Sequence, residues 1–281
     1  MKPAEVKEFS IVPAPFRGLW QREFIRLGDG TEDRTTRVFW AQTSSWFIDL
    51  RVPNNRAPHL VKSGFGDLTL DDCLTLAAQK GFAGRLSVKG SRCTWHRLLD
   101  YRPPTGRSDT GEVVVRGDTL RERGDASAVL ATDYEELYIR RVSVDKGCVA
   151  LALKEGGSSW CGNGPAVLIL LGDKFLFARG RPEPLSQAES LADLVRAAWP
   201  DRRRIAQLLD CEVSMGDIGP GEWRVTLSTV PRREQQRLMP RVTPTHTKER
   251  NELILDTDQG QTIWDIAEAE PSALELEELF S

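Results

Sequence analysis

No CxxC pair occurs in this chain, and its five cysteines stand scattered at 73, 93, 148, 161 and 211. That spacing points to neither a disulfide framework nor a structural zinc site and fits a reducing compartment. Histidine is scarcer still, and His59, His96 and His246 are too dispersed to predict a metal site. No apolar run approaches the length of a membrane span, and residues 1–8 lack the continuous apolar core of a signal peptide. The expectation is a soluble, cytoplasmic protein with no membrane partner. There is no Gly-x-Ser-x-Gly elbow. The glycine-rich stretch 156–164 precedes a strand, so it lacks the helix N-terminus that a phosphate loop needs and reads as a connection. A net charge of −3 offers no general attraction to nucleic acid. No cofactor fingerprint is present, and none is assigned.

What the chain does have is an internal echo. Residues 38–53 pair an apolar run, a three-residue polar turn and a second apolar run ending at Pro53, and residues 167–182 repeat that pattern up to Pro182, at an offset of 129. Each copy predicts a β-hairpin closed by a strand-breaker. Trp95 and Pro103 recur as Trp223 and Pro231 at an offset of 128. With 281 residues the chain has room for two domains of roughly 130 to 140 residues each, and the boundaries predicted from the repeat are 1–142 and 143–281.

Short strands dominate the first half: one over 16–26, the hairpin, and others over 82–89, 93–102, 111–116, 118–123 and 134–142. A helix over about 69–79 is predicted from Leu70, Cys73, Leu74, Ala77 and Ala78 at helical spacing, with Thr69 or Asp71 as cap. The second half replays the order, with a strand over about 137–153, a hairpin over 166–180, a helix over 187–198, a hairpin over 207–230 and short strands near 239–243, 252–256 and 262–267. The acidic tail from Glu268 to Ser281 reads as a short docked helix or a frayed end. Many short antiparallel strands with one helix per half predict an all-β fold of two tandem antiparallel up-and-down β-barrels from an internal duplication.

Gly18-Leu19-Trp20 on the first strand of such a meander resembles the lipocalin or calycin barrel. The whole chain resembles an uncharacterised group of paired calycin-like proteins of fungi and bacteria, through Phe39-Trp40-Ala41-Gln42, the segment from Phe47 to Pro53 and the segment from Tyr134 to Arg140. The resemblance implies a fold and no established reaction.

Comparing the copies at these offsets sets Trp40, Gln42, Asp49 and Arg51 against Ile169, Leu171, Ala178 and Gly180, and His96 and Asp100 against Arg224 and Ser228. The first copy is the polar one. Asp49 and Arg51 share a face with Phe47, a combination that is costly to bury unless the charges are paired; they read either as an ion pair or solvated face, or as the lining of a pocket. His96 is the first candidate for acid or base work, with Asp100 on its face. Arg22, set against Arg140, reads as a structural arginine stacked on a barrel-closing aromatic or as part of the lining. Tyr134, Glu136, Tyr138 and Arg140 alternate onto one face of a strand that should neighbour the first.

The leading expectation is a small-molecule binding protein whose first barrel holds a partly apolar ligand bearing a polar or anionic group. Trp20, Arg22, Trp40, Gln42, Phe47, Asp100, Tyr134, Glu136 and Tyr138 would line the site. The alternative is a cofactor-independent isomerase, cyclase or hydratase in the same barrel, with His96 moving a proton, Arg51 steadying negative charge and Asp49 completing the catalytic set. A protein-interaction scaffold is the third reading, and a homodimer is compatible with all of them.

Overall fold

The computed structural model describes residues 10–124, 132–153, 164–219, 222–239, 243–247, 251–257 and 260–269. The tail beyond residue 269, Cys161 and most of the glycine-rich stretch lie outside them. The first half runs β1 (Gly18–Leu27), β2 (Glu32–Asp33), β3 (Thr36–Gln42), β4 (Trp46–Pro53), β5 (Lys80–Lys89), β6 (Arg92–Asp100), β7 (Thr110–Arg116), β8 (Thr119–Gly124) and β9 (Tyr134–Val142). Each strand from β3 onward pairs antiparallel with the next, β1 pairs with β3, and β9 returns to pair with β1. The result is an eight-strand closed barrel with the two-residue β2 appended to β1. Two helices, α1 (Pro58–Lys62) and α2 (Leu70–Ala77), fill the connection from β4 to β5. Thr69 caps α2 as expected: its hydroxyl accepts the Asp72 N–H while the Asp72 carboxylate accepts the Thr69 N–H at 2.9 Å.

The second half runs β10 (Cys148–Leu153), β11 (Ala166–Leu171), β12 (Lys174–Arg179), α3 (Leu191–Ala198), α4 (Arg202–Leu209), β13 (Glu212–Gly219), β14 (Glu222–Ser228), β15 (Thr243–Thr247), β16 (Glu252–Thr257) and β17 (Gly260–Ala269). Its sheet has the same meander order, β17 returning to β10 as β9 returns to β1. Among the described residues no ladder joins β14 to β15; residues 235–238 lie along β14 instead, where the Val225 N–H donates to Gln236 and the Leu238 N–H to Trp223. The strand expected over 137–153 is broken by a 3₁₀ turn ending at Gly147, whose φ is +97°. A further helix also forms: Asp201 caps α4 by accepting the Arg204 N–H, and Ile205, Leu208 and Leu209 bury its apolar face. The run of three arginines at its start hides that spacing in the sequence.

The two sheets share irregularities as well as order. The β5–β6 ladder shifts register between Ala83 and Gly84, and the β13–β14 ladder shifts between Met215 and Gly216. In both places glycine is needed, because a Cβ on Gly84 would lie 2.0 Å from the His96 carbonyl oxygen and one on Gly216 2.0 Å from that of Arg224. A second shift, between Leu19 and Trp20 in β1–β9, recurs between Ala150 and Leu151 in β10–β17.

Three apolar clusters follow. One fills the first barrel around Trp20, Trp40, Phe47, Trp95 and Tyr138. Another lies inside the second sheet around Leu168, Phe175, Phe177, Trp223 and Trp264. The largest sits between the halves, where outward-facing Ile48, Leu50, Ala83 and Leu99 meet Ile169, Leu171, Leu176 and Ala178 together with the apolar faces of α2, α3 and α4. Polar struts cross the same seam. Arg181 donates to the carbonyls of Leu208, Asp100 and Tyr101, Gln79 donates to the Thr229 carbonyl, and Arg56 donates to that of Ser228.

Candidate functional site

Aligned from the shared bulges, the ladders set the equivalences between halves. Phe82 pairs with Asp100 as Ser214 pairs with Ser228; Asp49 pairs with Phe82 as Phe177 pairs with Ser214; and Trp40 pairs with Asp49 as Leu168 pairs with Phe177. Trp95 matches Trp223 as the sequence implied, but the hairpins match at an offset of 128, one residue from the 129 of the sequence reading. The true counterparts of Trp40, Gln42, Asp49 and Arg51 are therefore Leu168, Leu170, Phe177 and Arg179 rather than Ile169, Leu171, Ala178 and Gly180. The error has a physical cause. All six residues of β11 are buried, because its outer face packs on the first barrel, so no alternation fixes the phase. Likewise Arg140 does not correspond to Arg22: β9 is the closing partner of β1, not its copy.

The corrected register sharpens the contrast in polarity. Inside the first barrel stand Asp49, Arg97, Glu122 and Glu136; at the same places the second carries Phe177, Val225, Leu255 and Thr262. One end of the first barrel is apolar and sealed. There Arg140 lies 4.5 Å over the Trp20 ring and donates to the carbonyls of Pro15, Arg17 and Gly117, while the Trp20 indole donates to Phe16. The arginine stacked on the barrel-closing aromatic is thus Arg140. Gln42 belongs to this end too, donating to the carbonyls of Thr43 and Trp46.

Toward the other end lies a buried network. Arg51 holds Asp49 through two nitrogens at 2.7 and 3.1 Å and reaches Glu136 at 3.0 Å. Arg22 donates to Glu136 at 2.6 Å and to Asp33 at 3.0 Å. The Tyr138 hydroxyl donates to Glu136 at 2.6 Å, and that of Tyr134 to Glu122 at 2.7 Å. Burial would raise the Glu136 carboxyl, but Arg51 and Arg22 outweigh it and hold Glu136 below the usual carboxylate range. For Glu122, burial and then neighbouring Glu136 push the carboxyl well above the usual carboxylate range. Burial also raises Asp49, against the pull of Arg51.

His96 is not part of this group. Trp95 faces inward, His96 faces outward and bonds Ser87 at 2.6 Å on the neighbouring strand. Arg97 turns inward by the ordinary alternation and the bulge after it returns Asp100 as well; Arg97 lies 3.7 Å over Phe82 and pairs with Asp100 and Asp109. The shared face expected for His96 and Asp100 fails because the extra residue reverses the alternation between them. His96 instead borders a cleft of about 740 Å³ between the halves, walled by Pro103, Pro104, Pro165, Pro182 and Pro184. His59 sits in α1 beside Asp72 at 2.8 Å, and among the described residues no cluster could hold a metal ion.

Two cavities meet at the polar end. A void of about 20 Å³, enough for one water, touches Trp40, Asp49, Glu122 and Glu136, and the Trp40 indole N–H has no partner. At the mouth a cavity of about 320 Å³ is walled by Ile25, Leu27, Pro53 and Ala78 and floored by Arg22, Asp33, Arg51 and Lys80. Of the residues expected from sequence to line a site, only Arg22 and Arg51 reach this mouth; Trp40, Asp49, Tyr134 and Glu136 lie behind it, and Phe47, Tyr138, Trp20 and Gln42 are core. Lys80 is the residue that sequence reasoning missed. It borders both cavities, and it has no hydrogen bond or ion pair among the described residues. Burial, then the charges of Arg102 and Arg51, bring its ammonium down to about 8. Its alternation with Phe82 and Leu86 on β5 is the signal that places it inside.

No family model and no curated protein matches the chain. Among solved structures, the fold is similar over most of its length to an uncharacterised protein from Saccharomyces cerevisiae, with 12% identity and a TM-score of 0.53, covering 90% of this chain and 98% of that one. A lipocalin-like protein from Bacteroides uniformis matches 45% of this chain and 99% of its own, with 15% identity and a TM-score of 0.30. The protein is thus an eight-strand closed barrel joined to a second antiparallel sheet, a fold similar to that of the yeast structure.

Proposed function

We propose that the first barrel binds a small monoanion with an apolar body at its mouth. The observation that carries this reading is the pairing of Arg51 with Lys80. These two cations stand directly opposite each other across β4 and β5, whereas at the same position the second half sets Arg179 opposite Glu212. Like charges at facing positions are destabilising. Arg51 has its own carboxylates, so the ammonium of Lys80 is left to be neutralised by something from outside. A carboxylate at the floor of the 320 Å³ cavity would do so, with its carbon chain against Ile25, Leu27 and Pro53.

Calorimetric titration with octanoate and with octanol tests the proposal. Octanoate should bind at least tenfold more tightly than octanol, and Lys80→Met should abolish the difference while leaving the fold intact. Equal binding of the two probes, or a Lys80→Met variant that still prefers octanoate, would overturn it.

A further inference from the structure

We infer that the Lys80 amine forms a reversible imine with small aldehydes seated in the same mouth cavity. The inference rests on the mouth being a ligand site, but it concerns reactivity rather than charge recognition. Lysines are poor nucleophiles while protonated, and an ion pair keeps them so. Lys174 illustrates the ordinary case, with its ammonium 2.7 Å from Asp217 and 3.2 Å from Asp173 and held above its usual value. Lys80 is the reverse in every respect. It has no carboxylate partner, it stands at the floor of a cavity, and its facing neighbour on β4 is a guanidinium. The charges that act most on it are those of Arg102 beyond β6, Arg51 from β4, Glu136 from β9 and Arg22 from β1; Glu136 is occupied by Arg22 and Arg51, and of the other carboxylates lining its cavities Asp33 is held by Arg22 and Asp49 by Arg51. A neighbouring cation favours the neutral amine, which is the form that attacks a carbonyl.

The chemistry balances without a further reactant. The nitrogen lone pair adds to the aldehyde carbon, and the proton lost by nitrogen ends on the former carbonyl oxygen. The carbinolamine then expels water to leave a C=N bond, with nothing oxidised or reduced. The apolar wall formed by Ile25, Leu27, Pro53 and Ala78 would hold the aldehyde's substituent and limit water at the new bond.

The test uses the full chain with benzaldehyde, trapping the imine as a secondary amine with sodium cyanoborohydride and mapping the modified lysines by peptide mass spectrometry. Lys80 should be modified at least tenfold faster than Lys89, the exposed lysine at the other end of the same strand, and saturating octanoate should protect it. Modification of Lys80 no faster than Lys89 would overturn the inference. Lys80→Arg cannot form the adduct, so it should lose the trapped product at this position while labelling of Lys89 is unchanged. Octanoate binding without Lys80 labelling removes the imine and leaves the binding site standing. Labelling of Lys80 without octanoate binding removes the anion and leaves the reactive amine.

Discussion

Glu122 and Glu136 face each other across the β8–β9 ladder, both turned into the first barrel, yet their carboxyls are shifted in opposite directions. Arg51 and Arg22 hold the Glu136 carboxyl down, and burial and Glu136 itself push that of Glu122 up. The raised carboxyl has a definite consequence for stability. Above the ordinary value of 4.5 the unfolded chain loses a proton that folded Glu122 retains, so stability falls as pH rises toward the folded value. Glu122→Gln preserves an acceptor for Tyr134 and removes that titration. Urea midpoints of the variant should therefore decline less than those of the parent as pH is raised above 4.5. Identical slopes would show that Glu122 is ionised in the folded protein.

Glu136 runs the other way. Its lowered carboxyl contributes stability that is present above the ordinary carboxylate range and lost as pH falls through its folded value. Glu136→Ala leaves Arg22 and Arg51 buried without their shared partner and should cost about 3 to 5 kcal/mol by denaturant melts near neutral pH. Glu136→Gln should cost less, and both differences should shrink in acid.

The paired bulges offer a control on the fold. Gly84→Ala and Gly216→Ala each place a Cβ against a carbonyl oxygen of the neighbouring strand, and each should destabilise by more than about 3 kcal/mol. Thermal melts showing either substitution to be neutral would mean that the bulges are not where the ladders put them.

Arg140 stacks on Trp20 and satisfies three carbonyls at the sealed end of the barrel. Arg140→Ala should lower stability by about 2 to 3 kcal/mol, and octanoate affinity should change little, because the mouth lies at the opposite end. Arg140→Lys should recover only part of the loss, since an ammonium cannot serve three carbonyls from a stacked plane.

How much of this was legible in the sequence depended on which faces water reaches. The strands of the first half alternate cleanly, so the period alone put Asp49 with Arg51, and Glu136 with Tyr138, on common faces while leaving open whether those faces turn inward. In β11 and β12 both faces are apolar, because the outer one packs on the other half, and the repeat was read one residue out of phase. The separation of Asp100 from the face of His96 depended on a bulge, which propensity does not announce; Gly84 and Gly216 at equivalent places are its trace. Lys80 is the first residue of its strand, so only the alternation that Phe82 and Leu86 continue further along could have placed it inside. Asp33 and Asp109 reach the interior through loops and cross-strand ion pairs that only the folded chain brings together.

Gln79 immediately precedes Lys80, and its side chain is bonded to the Leu76 carbonyl in its own half and to Thr229 in the other. Arg56, nearby in space, bonds both Gln79 and the Ser228 carbonyl. The position of the mouth lysine is therefore set by backbone about 150 residues away along the chain. A half whose own interior is the more apolar thus acts on the proposed site from outside, as the mount of a lens acts on an image. Sequence drift in the second half that moves residues 228 and 229 would register as altered affinity in the first, with no lining residue changed.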